Sequence, residues 1–195
     1  MNNSFFLTVL ILCSLLSCKK GFLDRYGPFY ISSDTTVFYE GTSAGRIDNN
    51  FDKMMEDYPN IISITFSSHC PGSINDDALY IAARKVRNNG IKTILNSESV
   101  VESGAVDLFI SGASREIDTG AKIGVHSWSY AGGEDGVDLP VDHEDHTMYL
   151  DFYNEMLENN NLGEEFYWFT LNSASSDEIH YMSEEEIEYF GLEID

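Results

Sequence analysis

Between Thr35 and Val125 the chain alternates short β-branched or apolar runs with amphipathic helical stretches, joined by only a few residues. Parallel neighbours cannot be joined by a tight hairpin. The alternation therefore predicts an α/β fold with a mostly parallel sheet and right-handed βαβ crossovers. Strands are expected at Thr35–Tyr39, Ile61–Phe66, Ile91–Leu95 and Lys122–Val125. A helix is expected over Arg46–Tyr58, where Ile47, Phe51, Met54 and Met55 keep helical spacing. A second has Ala78, Ile81, Ala82 and Val86 on its buried face, and a third follows Ser103 and ends at Gly112. Pro59-Asn60 and Asn88-Asn89-Gly90 stop the first two. Such sheets bind ligands at the carboxyl ends of their strands, so a site is expected just past Phe66, Leu95 and Val125.

Beyond Val125 the pattern changes. Tyr130–Glu144 reads as a loop, with Gly132-Gly133, Gly136 and Pro140. A C-terminal helical region follows. One helix is expected from about His143 to Glu158, with Met148, Phe152 and Met156 in its stripe. An aromatic segment, Phe166–Phe169, precedes a final short helix that opens with a capping-box spacing, Ser183 to Glu186, and closes at Gly191. The folded domain is expected over 34–195, with 18–33 as a tether.

Phe5–Leu16 is almost wholly apolar but too short to span a membrane comfortably, so 1–17 reads as a signal peptide. Leu15-Leu16-Ser17-Cys18 resembles the lipobox of bacterial lipoproteins, which implies cleavage before Cys18 and lipidation of its thiol. A plain signal peptide or an anchor helix is the alternative. Cys13 would leave with the signal and Cys18 would carry lipid, so Cys70 has no internal disulfide partner. The expected address is the bacterial cell envelope, lipid-anchored, periplasmic or surface-facing. The net charge of −22, from 33 acidic and 11 basic residues, repels nucleic acid, which is not an expected partner.

Ser103 opens a helix and His126 ends a short apolar strand. Two separate elements often deliver a serine nucleophile and its general base in this way. Taken alone, the pair fits equally a helix N-cap and a strand-end histidine. Further motifs accompany it: Cys70-Pro71-Gly72-Ser73 between strand and helix, Gly112 nine residues after Ser103, Val125-His126 with the histidine 23 residues after Ser103, and the tail Met182–Leu192. In this order they resemble the ClpP/crotonase superfamily, and more narrowly its exported ClpP-like bacterial lipoprotein branch, over about Thr35 to Leu192.

The resemblance implies Ser103 as nucleophile, His126 as base, and the backbone amides of Gly104 and Ser73 as oxyanion donors. It also implies an acid a little before the closing motif. Counting back from Gly191 lands on Ser175; Asp177 is the nearest carboxylate and the expected third member, with Asn172 as a polar substitute. Ser73 stands where the family has the second glycine of a Pro-Gly-Gly turn. Glu102 adjoins the expected nucleophile, where a carboxylate disfavours an oxyanion.

His143 and His146, within Asp142–His146, have an i, i+3 spacing that suits a shared divalent metal. The commoner reading is a solvated loop with an aspartate N-cap, and no metal is expected. Cys70 reads as packing, and His69 and His180 have no evident partner. The expected function is an exported, peptidase-like serine hydrolase acting on a peptide or protein without a cofactor, as a homo-oligomer in the manner of this fold. The alternative is a catalytically inactive lipid-anchored binding or scaffold protein. Acyl-CoA chemistry is disfavoured by the charge and by export.

Overall fold

The computed structural model describes residues 21–130, 133–158 and 161–194. In chain order these form β1 (Asp24–Tyr26), β2 (Phe29–Ser33), β3 (Thr36–Tyr39), α1 (Ile47–Asp57), β4 (Ser63–Phe66), α2 (Asp76–Asn88), β5 (Lys92–Leu95), β6 (Val100–Glu102), α3 (Gly104–Ile110), β7 (Arg115–Ile117), β8 (Lys122–Val125), α4 (Thr147–Met156), α5 (Gly163–Ser173), β9 (His180–Tyr181) and α6 (Glu184–Tyr189). The expected signal peptide and Cys18 lie outside the described residues. Among the described residues no helix is long and apolar enough to cross a membrane.

Two sheets organise the molecule. The larger has the order β1-β2-β3-β4-β5-β7; its first three strands are antiparallel neighbours, and β3, β4, β5 and β7 run parallel. The smaller has the order β6-β8-β9, with β6 and β8 parallel and β8 and β9 antiparallel. The mostly parallel sheet with crossover helices is as expected. Along β3, β4 and β5 every second residue is buried, which puts Val37, Tyr39, Ile64, Phe66 and Leu95 into the core. α1 packs on α2, α2 on α3, and α4 on α5.

Residues 24–33 correct the tether. Phe29 and Ile31 are fully buried, and β1 and β2 extend the sheet from β3. Tyr26 donates to Asp57 at the end of α1 (2.6 Å), so the hairpin is tied to the body. Ile81, expected to be buried, is 46% exposed; Leu79 and Ala83 take the inner face of α2 instead. Gly112 is not the cap of α3, a position taken by Ser111. A Cβ at Gly112 would stand 2.1 Å from Thr93 Oγ1, so its need is close approach to β5. The expected capping box at Ser183 and Glu186 is present.

Candidate active site

The smaller sheet brings the two expected catalytic elements together. β6 and β8 pair with Glu102 opposite Gly124, and Ser103 N–H donates to Gly124 O at 3.0 Å. Ser103 and His126 therefore leave neighbouring parallel strands at the same end. Ser103 is the junction between β6 and α3, at φ 54°, ψ −132°. That backbone conformation is unfavourable for a residue with a Cβ, and such strain collects at functional sites. A sharp strand-to-helix turn exposes the nucleophilic serine of α/β-hydrolases.

The Cys70–Ser73 segment is wedged between β6 and Ser43. Cys70 N–H donates to Val100 O (3.1 Å), and Glu102 N–H donates to Cys70 O (2.9 Å). On the other side Ser43 N–H donates to Gly72 O (2.8 Å), and Ile74 N–H donates to Ser43 O (3.0 Å). This clamps the turn against Ser103. A Cβ at Gly72, which has φ +116°, would lie 2.9 Å from Ser103 Cβ and 3.3 Å from its Oγ. A Cβ at Gly104 would lie 2.5 Å from Ser73 Oγ. Ser73 turns its hydroxyl to Asp76, to which it donates. Among the described residues the Ser73 and Gly104 N–H groups have no backbone acceptor outside regular elements. Glu102 receives the Tyr181 hydroxyl.

His126 Nδ1 is buried without a hydrogen-bond partner. Burial pushes the ring's pKa below its ordinary 6.5. The Ser176 backbone, lacking hydrogen-bond geometry, and the carboxylates of Asp135 and Glu102 act in the opposite direction. Among the described residues no hydrogen bond joins His126 to Ser103 or to Asp177, and Asp177 is exposed. Asp135 is a carboxylate whose charge acts on the His126 ring. Its Oδ2 accepts from Ser176 N–H at 3.0 Å, and the Ser176 side chain and backbone, with a smaller contribution from His126, hold its carboxyl below the usual range. An isolated bridge between Ser129 and Asp135 fixes that loop. Asn172 is exposed and donates to Trp168 O.

Beside Ser103 lies a cavity of about 40 Å³, bordered by Asp76, Asp107, Trp128, Tyr149, Tyr153 and Tyr167. Tyr149 stacks between Trp128 (5.2 Å, 9°) and Tyr167 (5.8 Å, 8°). Trp128 Nε1–H donates to the Tyr167 hydroxyl (3.0 Å), which lies 2.5 Å from His146 Nδ1. Tyr149 donates to Asp76 (3.0 Å); Tyr153 (2.6 Å) and Tyr80 (3.3 Å) donate to Asp107. Desolvation raises the Asp107 carboxyl to about 7. No sequence expectation fell on this wall. Its available signals were Asp107, the polar residue inside an apolar helix, and the i, i+4 pair Tyr149 and Tyr153.

The remaining candidates are placed as follows. His146 is 1% exposed, not part of a solvated loop, and His143 is itself the N-cap of the short turn Glu144–His146. No cluster of three or more metal-binding side chains occurs among the described residues. His180 has a partner after all, Glu186, at 3.0 Å. Cys70 is buried, and its thiol donates to Tyr39 O (3.4 Å).

No protein-family model and no curated protein matches the sequence. Solved structures do. A serine-to-alanine mutant of the membrane-bound stomatin-specific protease 1510-N superposes with TM-score 0.55 at 12% identity, covering 82% of this chain and 76% of that one. Another mutant of that protease, in complex with a substrate peptide, gives 0.49 at 13% identity over 82% and 74%. An enoyl-CoA hydratase from Geobacillus kaustophilus gives 0.48 at 11% identity over 84% and 65%. The strand–elbow–helix at Ser103, set beside a mostly parallel sheet, belongs to a ClpP/crotonase-like fold.

Proposed function

We propose that this chain is an exported, lipid-anchored serine hydrolase that cleaves an amide bond in peptides. Ser103 is the nucleophile, His126 the base, and Asp135, in place of Asp177, the acid that favours the charged imidazole. The observation that carries the reading is the Ser103 elbow, strained and held against Gly72 beside a cavity. Strain at a polar residue over a cavity has no packing rationale, whereas it presents Oγ to a substrate. A neutral imidazole, favoured by burial of His126, is the form that accepts the Ser103 proton. The Gly104 and Ser73 N–H groups receive the developing oxyanion. A protease shares the fold, so the scaffold accommodates this chemistry. Export and anchoring rest on the apolar Phe5–Leu16 run and on Cys18.

One observation favours a second reading, a binding protein that kept the fold without the chemistry: His126 Nδ1 is orphaned and no hydrogen bond links it to Ser103. Labelling with a fluorophosphonate decides between them. The full chain is expected to react, and both Ser103→Ala and His126→Ala to lose the label. The rate should rise with pH through a midpoint below 6.5, because the lowered pKa keeps the base neutral to more acidic pH. A folded wild type that takes no label, or takes it equally in Ser103→Ala, overturns the hydrolase.

A further inference from the structure

We infer that the cavity beside Ser103 is a specificity pocket for a lysine side chain, placed on the residue whose carbonyl Ser103 attacks. This rests on the hydrolase reading for its role, though not for its chemistry. Asp107 lies one helical turn beyond Ser103 and so faces the same way. It is 6% exposed and borders the cavity together with Asp76. Among the described residues no Lys, Arg or His forms an ion pair with either carboxylate, although surface acids such as Asp52 and Glu155 have theirs. Tyrosine hydroxyls orient both carboxyls and supply no charge. A buried acid and a half-buried one that face a single cavity without a cation leave a place that a ligand cation fills.

The walls are independent support. Trp128, Tyr149 and Tyr167 stand in a nearly parallel stack. Tyr149 is covered on both faces, so the stack lends the cavity an apolar lining along which an alkyl stem packs. Size selects among cations. About 40 Å³ exceeds the room one water needs but falls short of a drug-sized pocket. The compact ammonium on the thin four-carbon stem of lysine fits such a space better than the planar fork of arginine. Norleucine has the same stem without the charge, and it would leave the acids and hydroxyls desolvated and unpaired.

The test separates binding from reaction. Calorimetry on full-chain Ser103→Ala compares acetyl-lysyl and acetyl-norleucyl peptides of otherwise identical sequence. The lysyl peptide is expected to bind at least tenfold tighter, and Asp107→Asn and Asp76→Asn, each in that background, to erase the difference. Either near-isosteric variant alone suffices if the other fails to fold. Equal affinity, or preference for norleucine, overturns the pocket whatever the wild type does with a fluorophosphonate. A lysine preference that survives both substitutions overturns it as well. A wild type that refuses the fluorophosphonate while Ser103→Ala still prefers lysine removes the hydrolase and leaves the pocket standing.

Discussion

At Ser103 stability and chemistry are in opposition. A side chain held at φ 54°, ψ −132° costs on the order of 1–3 kcal/mol, which the clamp around it has to offset. Glycine adopts the conformation freely but loses more entropy on folding. Ser103→Gly is therefore expected to raise the urea-unfolding stability by about 1 kcal/mol, while Ser103→Ala, which keeps the Cβ, leaves it near wild type. Both lose the label. A Ser103→Gly protein no more stable than Ser103→Ala would remove the strain argument. Asp107 carries a second such opposition. Its carboxyl stays protonated in the folded protein up to about pH 7, whereas in the unfolded chain it ionises near 3.8. The folded state then binds the extra proton, so stability falls as pH rises from about 4 to 7 and is flat above. Asp107→Asn, which has no proton to lose, should match wild type near pH 4 and exceed it above pH 7 by up to about 4 kcal/mol. Denaturant titrations of both proteins across that range give the answer, and parallel curves would refute it.

Among the elements, α3 shows how the site is held from behind. All seven of its residues, Gly104–Ile110, are buried, and its last carbonyls meet two cations. Arg87 donates to Ile110 O (2.9 Å) and Arg115 donates to the same oxygen (2.8 Å). Arg115 also donates to Leu192 O (2.6 Å) and Gly191 O (3.0 Å), so one side chain ties α3 to the end of α6. Arg115→Ala takes the guanidinium from the Leu192 and Gly191 carbonyls, while Ile110 O keeps Arg87, and is expected to lower stability by about 3 kcal/mol, read as a drop in the urea midpoint. A change under about 0.5 kcal/mol would show that water replaces the guanidinium. Arg115 lies on β7, a strand with no signal in the sequence. The legible elements β3, α1, β4, α2, β5, α3, β8 and α4 carry apolar faces long enough to register, and α6 is announced by its capping box. β6 and β7 are three residues each, Val-Val-Glu and Arg-Glu-Ile, and no period is visible in three residues. The β1–β2 hairpin reads as a tether in the sequence because Gly27-Pro28, the turn within it, matches linker composition. The site divided along the same line. Ser103, Gly104, Ser73 and His126 lie beside regular elements, and the fold brings their segments together. The acid proposed for it comes from a loop, where counting along the chain carries no distance. Asp135 is tied to the Ser176 N–H, a contact across 41 residues that no local pattern announces.

Taken whole, the molecule is an acidic body, and most cations among its described residues are engaged. Of its 11 basic residues, Arg46, Arg84, Lys85 and Lys92 are paired with carboxylates, and Arg87 and Arg115 are spent on carbonyls. The net charge of −22 is thus left as a field, and its sign matches that of the Asp76/Asp107 cavity. A cationic peptide is drawn first by the body and then by the pocket, whereas a neutral one feels neither. The two contributions respond differently to salt. Between 0.01 M and 0.1 M ionic strength the screening length falls from about 30 Å to about 10 Å, which removes the long-range part and leaves contacts inside the cavity almost untouched. Labelling of the wild type by a lysyl phosphonate is therefore expected to slow roughly threefold or more over that range. The norleucyl analogue should hold its rate. Asp107→Asn should lower the lysyl rate at both salts without changing its salt slope, because one group in a body of −22 adds little to the distant field. Equal slopes for the two probes would mean that the surface charge has no part in delivering substrate, and that any preference for lysine arises inside the pocket alone.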